Sequence, residues 1–259
     1  MSRDEQQPLA RFPATSVPSE RQHHSVISAE KLKQLYTLMV RLRACQGKPH
    51  PKKRTGRRPH FGVACEAAAV IELRSGDAVA IVSGQAVALL ARGPRAANGK
   101  DEQARAGAWS LLEEGGRDRL AMAAGAAFAH RSRRSHNVVI AFAQSGEIAR
   151  ASDSVGFAER ERLPVIYFEK AAVSVPRSKP TAHSLATIPV DDSDAVAVYR
   201  VAYEAIAKAR RGAGPTLIQC IRLRSLPASI RFMDLRGDPI AYLEHYLRKQ
   251  NLWSEDLHR

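Results

Sequence analysis

The chain has 259 residues and carries 40 Lys or Arg against 26 Asp or Glu, a net charge of +14. Hydrophobic residues make up 44% and charged residues 25%. This is an ordinary soluble globular composition, and a chain of this length can close a core without disulfides. The longest apolar run, 120–129, has ten residues, too short for a membrane span. The first 25 residues lack the apolar stretch of a secretory signal, so the expected location is the cytoplasm.

The basic excess is uneven. Residues 1–60 hold 13 Lys or Arg and 4 Asp or Glu, and much of it lies in HPKKRTGRRPH at 50–60. Such a run reads as a solvated basic loop. Its alternative, an arm that meets an anionic partner, has no interleaved aromatics or nucleic-acid module behind it, so nucleic acid is not the expected partner. Cys45, Cys65 and Cys220 form no C-x-x-C pair and read as reduced, partly buried thiols. No histidine spacing suggests a metal site.

In chain order, residues 1–27 are expected to form a flexible tail and 28–259 one domain. A helix starts at Ser28, a suitable N-cap, with Leu32, Leu35, Tyr36, Met39 and Leu42 on one face. A second helix is expected over 64–74, a strand over 78–82, and a short helix that stops at Gly93-Pro94. Residues 94–116 read as a polar connector with room for a helix around Trp109, Leu111 and Leu112. The segment 117–135 reads as a helix with a small-residue face. The pattern then alternates regularly. Strands are expected over 137–143, 163–169, 186–191 and 216–222, and helices over 150–161, 192–211 and 238–251. Asp191 or Asp192 should cap the helix at 192–211, and Asp238-Pro239 should open the last one. Solid apolar strands alternating with helices predict an α/β fold, a mainly parallel sheet with helices on both faces.

The common chemical signatures are absent. No G-x-G-x-x-G or G-x-x-x-x-G-K-[ST] loop occurs, and no G-x-S-x-G elbow. The pairs Glu113-Glu114 and Asp191-Asp192 read as helix ends and caps. In a parallel sheet, ligands gather beyond the carboxyl ends of the strands. That places attention on Gln144, Ser145, Gly146 and Glu147 after one strand, and on Lys170, Ala171 and Ala172 after the next. These strands should be neighbours.

A succession of segments then carries a resemblance: LYTLMVRLR (35–43), CEA (65–67), LRSGD (73–77), LLARG (89–93), VVIAFA (138–143), LPVIYFE (163–169), AVAVY (195–199), GPTLI (214–218) and GDPIAYLEHYL (237–247). In order and spacing the chain resembles the alpha subunit of the thiamine-diphosphate-dependent 2-oxo acid dehydrogenases, the pyruvate dehydrogenase type. The resemblance implies a thiamine-diphosphate-binding-like fold and an oxidoreductase acting on an oxo group with a disulfide acceptor. It implies thiamine diphosphate held through magnesium, and a beta-type subunit, or self-association, as partner.

The implied cofactor residues depart from the family. Its Gly-Asp-Gly aligns with Gln144-Ser145-Gly146 and its Asn-Asn with Lys170-Ala171. The 26-residue separation of Ser145 and Ala171 is kept, but the ligand side chains are not. A Tyr-Arg pair expected near 81–85, a His expected within 225–235, and the His-Glu-Ala-Leu-Asn pattern aligned with 152–156 are also missing. Ser145, Gly146, Lys170 and Ala171 are therefore family positions of a cofactor site whose ligands have been lost. No catalytic or metal-ligating residue is assigned, and the expectation is a catalytically impaired homologue in which thiamine diphosphate and magnesium are not bound. Two alternatives stand beside it: an active subunit with an atypical, Lys170-assisted site, and a binding module that uses the basic arm.

Overall fold

The computed structural model describes residues 27–46, 62–81, 109–113, 118–171, 185–221 and 238–258. The tail 1–26, the basic loop at 50–60, the helix expected before Gly93-Pro94 and the segment 225–235 lie outside the described residues.

Helix α1 (Ala29–Gln46) begins where expected. The Ser28 Oγ accepts the Lys31 N–H at 3.2 Å, satisfying one of the donors a helix start leaves open. Its five predicted core residues are all buried, as is Ile27, the last residue assigned to the tail. Helix α2 (Val63–Val70) is shorter than expected. The chain turns at Ile71 and reaches Gly76 with φ +89°, a left-handed conformation that glycine adopts without strain. Strand β1 (Asp77–Ile81) follows.

The first clear departure is strand β2 (Trp109–Glu113), where a helix was expected around Trp109. Its five residues pair in parallel with all five of β1, and ladder formation with a distant segment overrides a weak local helical pattern. Glu113 therefore lies in a strand, not at a helix end.

Then come α3 (Arg119–Ser132), β3 (Val139–Ala143), the single turn α4 (Glu147–Arg150), α5 (Ser152–Arg160), β4 (Val165–Ala171), β5 (Thr187–Asp191), α6 (Ala195–Arg210), β6 (Thr216–Ile221) and α7 (Pro239–Lys249). The helix expected over 150–161 is thus two pieces that meet at Ala151. Helix α6 is capped by Asp194, whose carboxylate accepts the Val196 and Ala197 N–H groups at 3.0 Å each, not by Asp191 or Asp192. Asp191 instead ends β5 and accepts from Ser193 N and Oγ. Asp238 caps α7, with Pro239 at its first turn.

The described strands form one six-stranded sheet in the order β2-β1-β3-β4-β6-β5, and every pairing is parallel. Alternate residues serve opposite faces. Ile140 and Phe142 point to one side with Val79, Ile166, Phe168 and Ile218, and meet α1, α2, α6 and α7. Val139, Ala141 and Ala143 point to the other, with Ala78, Ala80 and Tyr167, and meet α3, α4 and α5. On that face the alanines of β1 and β3 oppose Ala123, Ala124 and Ala127 of α3, so the small-residue run brings a helix close to the sheet. Both faces are covered, as continuous apolar strands require. β5 forms one edge and carries Pro189. No helix among the described residues is long and apolar enough to cross a membrane.

Candidate functional site

β1 connects outward to β2 on one side, and β3 connects to β4 on the other. The strand order therefore reverses between β1 and β3, the place where open parallel sheets open a crevice at their carboxyl ends. The loop that leaves β3 there is Gln144-Ser145-Gly146. β4 is the next strand over, with Ala143 in register with Glu169. The two predicted segments are thus neighbours, as expected.

Lys170 and Ala171 do not lie in a loop, however. β6 runs on to Ile221, and β4 continues beside it, with Lys170 paired to Cys220 and Ala171 to Ile221. Ser145 and Gly146 are exposed at the turn, Gly146 with φ +73°, and Lys170 is half-buried.

The residue that joins the two segments is one the sequence reading did not single out. Glu169 is 8% exposed, and its Oε1 accepts the Gly146 N–H at 2.9 Å. The Ile148 N–H also donates to its carboxyl. Gln219 Nε2 approaches Oε2 at 3.4 Å. Burial raises the Glu169 pKa above the ordinary carboxylate value. Hydrogen bonds from Gly146, Gln219 and Ile148 pull the other way, and the nearby Glu147 raises it again.

A second carboxylate is equally committed. Glu147 Oε2 accepts Arg119 Nη2 at 2.5 Å and the Gln144 N–H at 2.7 Å. Arg119 is itself buried and donates from Nε to the Phe142 carbonyl at 3.1 Å. The turn after β3 is therefore fastened from below by Arg119 and Glu147 and from the side by Glu169. The sequence signals were slight: a carboxylate closing the apolar run LPVIYFE, and an arginine opening a helix of alanines.

These residues do not fit a diphosphate held through magnesium. That ion favours oxygen ligands in octahedral geometry, usually with a carboxylate. Ser145 offers a neutral hydroxyl and Ala171 no side-chain oxygen. The two carboxyls at hand, Glu147 and Glu169, are engaged by protein donors, and the Gly146 N–H is taken. Among the described residues no group of three or more His, Cys, Asp or Glu is arranged to hold a metal ion.

Residues 115–259, more than half of the chain, match the family described as dehydrogenase E1 component. The chain belongs to that family, the alpha type of thiamine-diphosphate-dependent 2-oxo acid dehydrogenase. Among individual relatives, the pyruvate dehydrogenase E1 component subunit alpha of Staphylococcus aureus is 32% identical over a match covering 52% of this chain and 44% of that protein. The counterpart from Staphylococcus epidermidis is 30% identical, with 51% and 44% covered. The chain thus matches less than half the length of these relatives. Among solved structures, a putative thiamin diphosphate-dependent enzyme from Mycobacterium smegmatis aligns at TM-score 0.41 with 16% identity, covering 69% of this chain and 36% of that one. Benzoylformate decarboxylase from Polynucleobacter necessarius aligns at 0.41 with 13% identity, covering 70% and 36%.

Proposed function

We propose that this chain is a non-catalytic E1 alpha-type homologue, which keeps the family scaffold and a partner-facing role but holds no coenzyme. The observation that carries the reading is the 2.9 Å hydrogen bond from Gly146 N–H to Glu169. A backbone donor at the loop aligned with the family's metal-binding motif is given to a carboxyl of the chain itself. Ser145 and Ala171 lack the ligand groups that would draw a metal there.

A partner remains part of the proposal. Helix α3 buries Ala123, Ala124 and Ala127 against the sheet, while Met122 (39%) and Phe128 (45%) stand exposed on its other side. Gly125, between them, has open space beside it. A small-residue groove flanked by two large apolar side chains supports helix packing against a beta-type subunit.

The test is a calorimetric titration of the purified chain, alone and mixed with a beta-type subunit, with thiamine diphosphate and magnesium. The expected result is no saturable heat in either arm. Micromolar binding in either one would sink the non-catalytic reading. The same mixture examined by mass in solution should give a complex larger than 28.4 kDa. A chain that stays monomeric and well folded in the presence of the beta-type subunit would remove the partner.

A further inference from the structure

A cavity of about 320 Å³ opens at the other end of the sheet, beside the amino ends of β3 and β4. The turn after α3, the turn between α5 and β4, and the end of α6 surround it. Arg131, Arg134, His136, Arg162, Arg210 and Arg211 line it, over a floor that includes the buried Pro164 and Ala209.

Two of these guanidiniums are committed. Arg131 pairs with Glu161 at 2.9 Å. Arg210 pairs with Asp77 and donates to the carbonyls of His136 and Glu72. Arg134, Arg162 and Arg211 are exposed, and among the described residues no carboxylate pairs with them. Three guanidiniums without a carboxylate partner among the described residues therefore line one cavity.

Basic residues near helix ends complement the helix dipole, and that would account for Arg131 and Arg210. It does not account for Arg134 and Arg162. Both have left-handed backbones, φ 53° and 46°, at the positions just past α3 and α5 where glycine sits without strain. After α6 the chain does use glycine, at Gly212 with φ 76°. Among the described residues the third non-glycine residue of this kind is Asn251, and asparagine tolerates the conformation. Arginine is thus held in a disfavoured conformation twice, both times on the rim of this cavity. Strain that persists in such a cluster points to a use for the side chains.

We propose that the cavity binds a small multivalent phosphate-type oxyanion: inorganic pyrophosphate or the phosphate end of a phosphorylated small molecule. The planar guanidinium fork matches phosphate oxygens in pairs. The volume lies at the small end of ligand cavities, and no Phe, Tyr or Trp lies among its described lining residues, so the site is built to grip the anionic group. It is separate from the turn at Gly146, which lies at the opposite ends of the same strands.

The experiment is a calorimetric titration of the full chain with inorganic pyrophosphate in 150 mM salt, repeated on Arg134→Gly with Arg162→Gly and, separately, on Arg211→Gln. Glycine removes the charge and suits the left-handed backbone, so the double variant should keep or raise the thermal midpoint. Each lost arginine should weaken binding at least about tenfold, the loss expected for a charge-assisted hydrogen bond. A phosphorylated sugar in a parallel titration shows whether an organic body is tolerated. Unchanged pyrophosphate affinity in the double variant would overturn the site, since binding would then lie elsewhere, for instance on the basic loop at 50–60. No binding to either phosphate probe, with a polyglutamate peptide bound instead, would overturn it in favour of an acidic protein partner.

Discussion

Arg210, the last residue of α6, forks onto Asp77, the first residue of β1, with Nη2–Oδ2 at 2.7 Å and Nη1–Oδ1 at 3.0 Å. Asp77 is fully buried and also accepts the N–H groups of Val138 at 2.8 Å and Arg74 at 2.6 Å. One carboxylate therefore ties together the start of β1, the approach to β3, the turn before β1 and the end of a helix more than 130 residues away.

Removing a partner from a buried pair leaves a charge without compensation, which costs about 3–5 kcal/mol. Asp77→Ala should lower the thermal midpoint by roughly 10 °C. The exposed pair of Arg131 and Glu161 supplies the control, since Glu161→Ala should cost less than about 1 kcal/mol. Differential scanning calorimetry of both variants checks the contrast.

Glu169 gives stability a pH dependence of known sign. Its folded pKa is raised, chiefly by burial, so the fold favours the protonated form. That contribution is fully present below the ordinary glutamate value of about 4.3 and fades as pH rises through the raised value. Urea unfolding of the native chain and of Glu169→Gln at several pH values between about 4 and 8 should show the native chain losing ground to the variant as pH rises. A constant difference across that range would contradict the assignment.

Tyr167 stands in the middle of β4 with its hydroxyl buried and no hydrogen-bond partner among the described residues, and burial holds its pKa well above the usual value. An unsatisfied buried hydroxyl carries a desolvation penalty of about 1–3 kcal/mol. Tyr167→Phe keeps the ring and removes the penalty. The variant should be at least as stable as the native chain, with a gain of about 1 kcal/mol read from denaturant midpoints.

Asp194 caps α6 with two hydrogen bonds. Asp194→Ala should cost about 1 kcal/mol, and Asp194→Ser should recover most of it. The alanine change at Asp192, which does not cap the helix, should leave the α6 amides as protected as before in hydrogen exchange.

The strands from Val139 onward were legible because solid apolar runs bounded by polar turns have few other readings. Helix α1 was legible for the matching reason, a single apolar stripe behind a serine cap. β2 was not, because Trp109–Glu113 gains its extended form from pairing with β1, a contact local pattern cannot reveal. The cap of α6 was misplaced by two or three residues because Asp191, Asp192 and Asp194 are all competent caps and only the end of β5 decides among them. At the candidate site, the sequence pointed to Ser145, Gly146, Lys170 and Ala171, the last two of which lie in β4 and not in a loop, and it did not point to Glu169 or Arg119, whose contacts depend on strand register and on a helix packed beneath the turn.

Pro189 sits on β5 at the outer rim of the sheet. Ala186 and Asp192 direct their backbone groups toward β6, the first accepting from Leu217 and the second donating to Ile221, so by alternation residue 189 faces away from β6. A visiting extended segment seeking to extend the sheet at that rim would find a missing N–H at its middle. The molecule thus carries on this flank its own guard against runaway strand stacking between copies, achieved with one imino acid and at no loss to the ladder within.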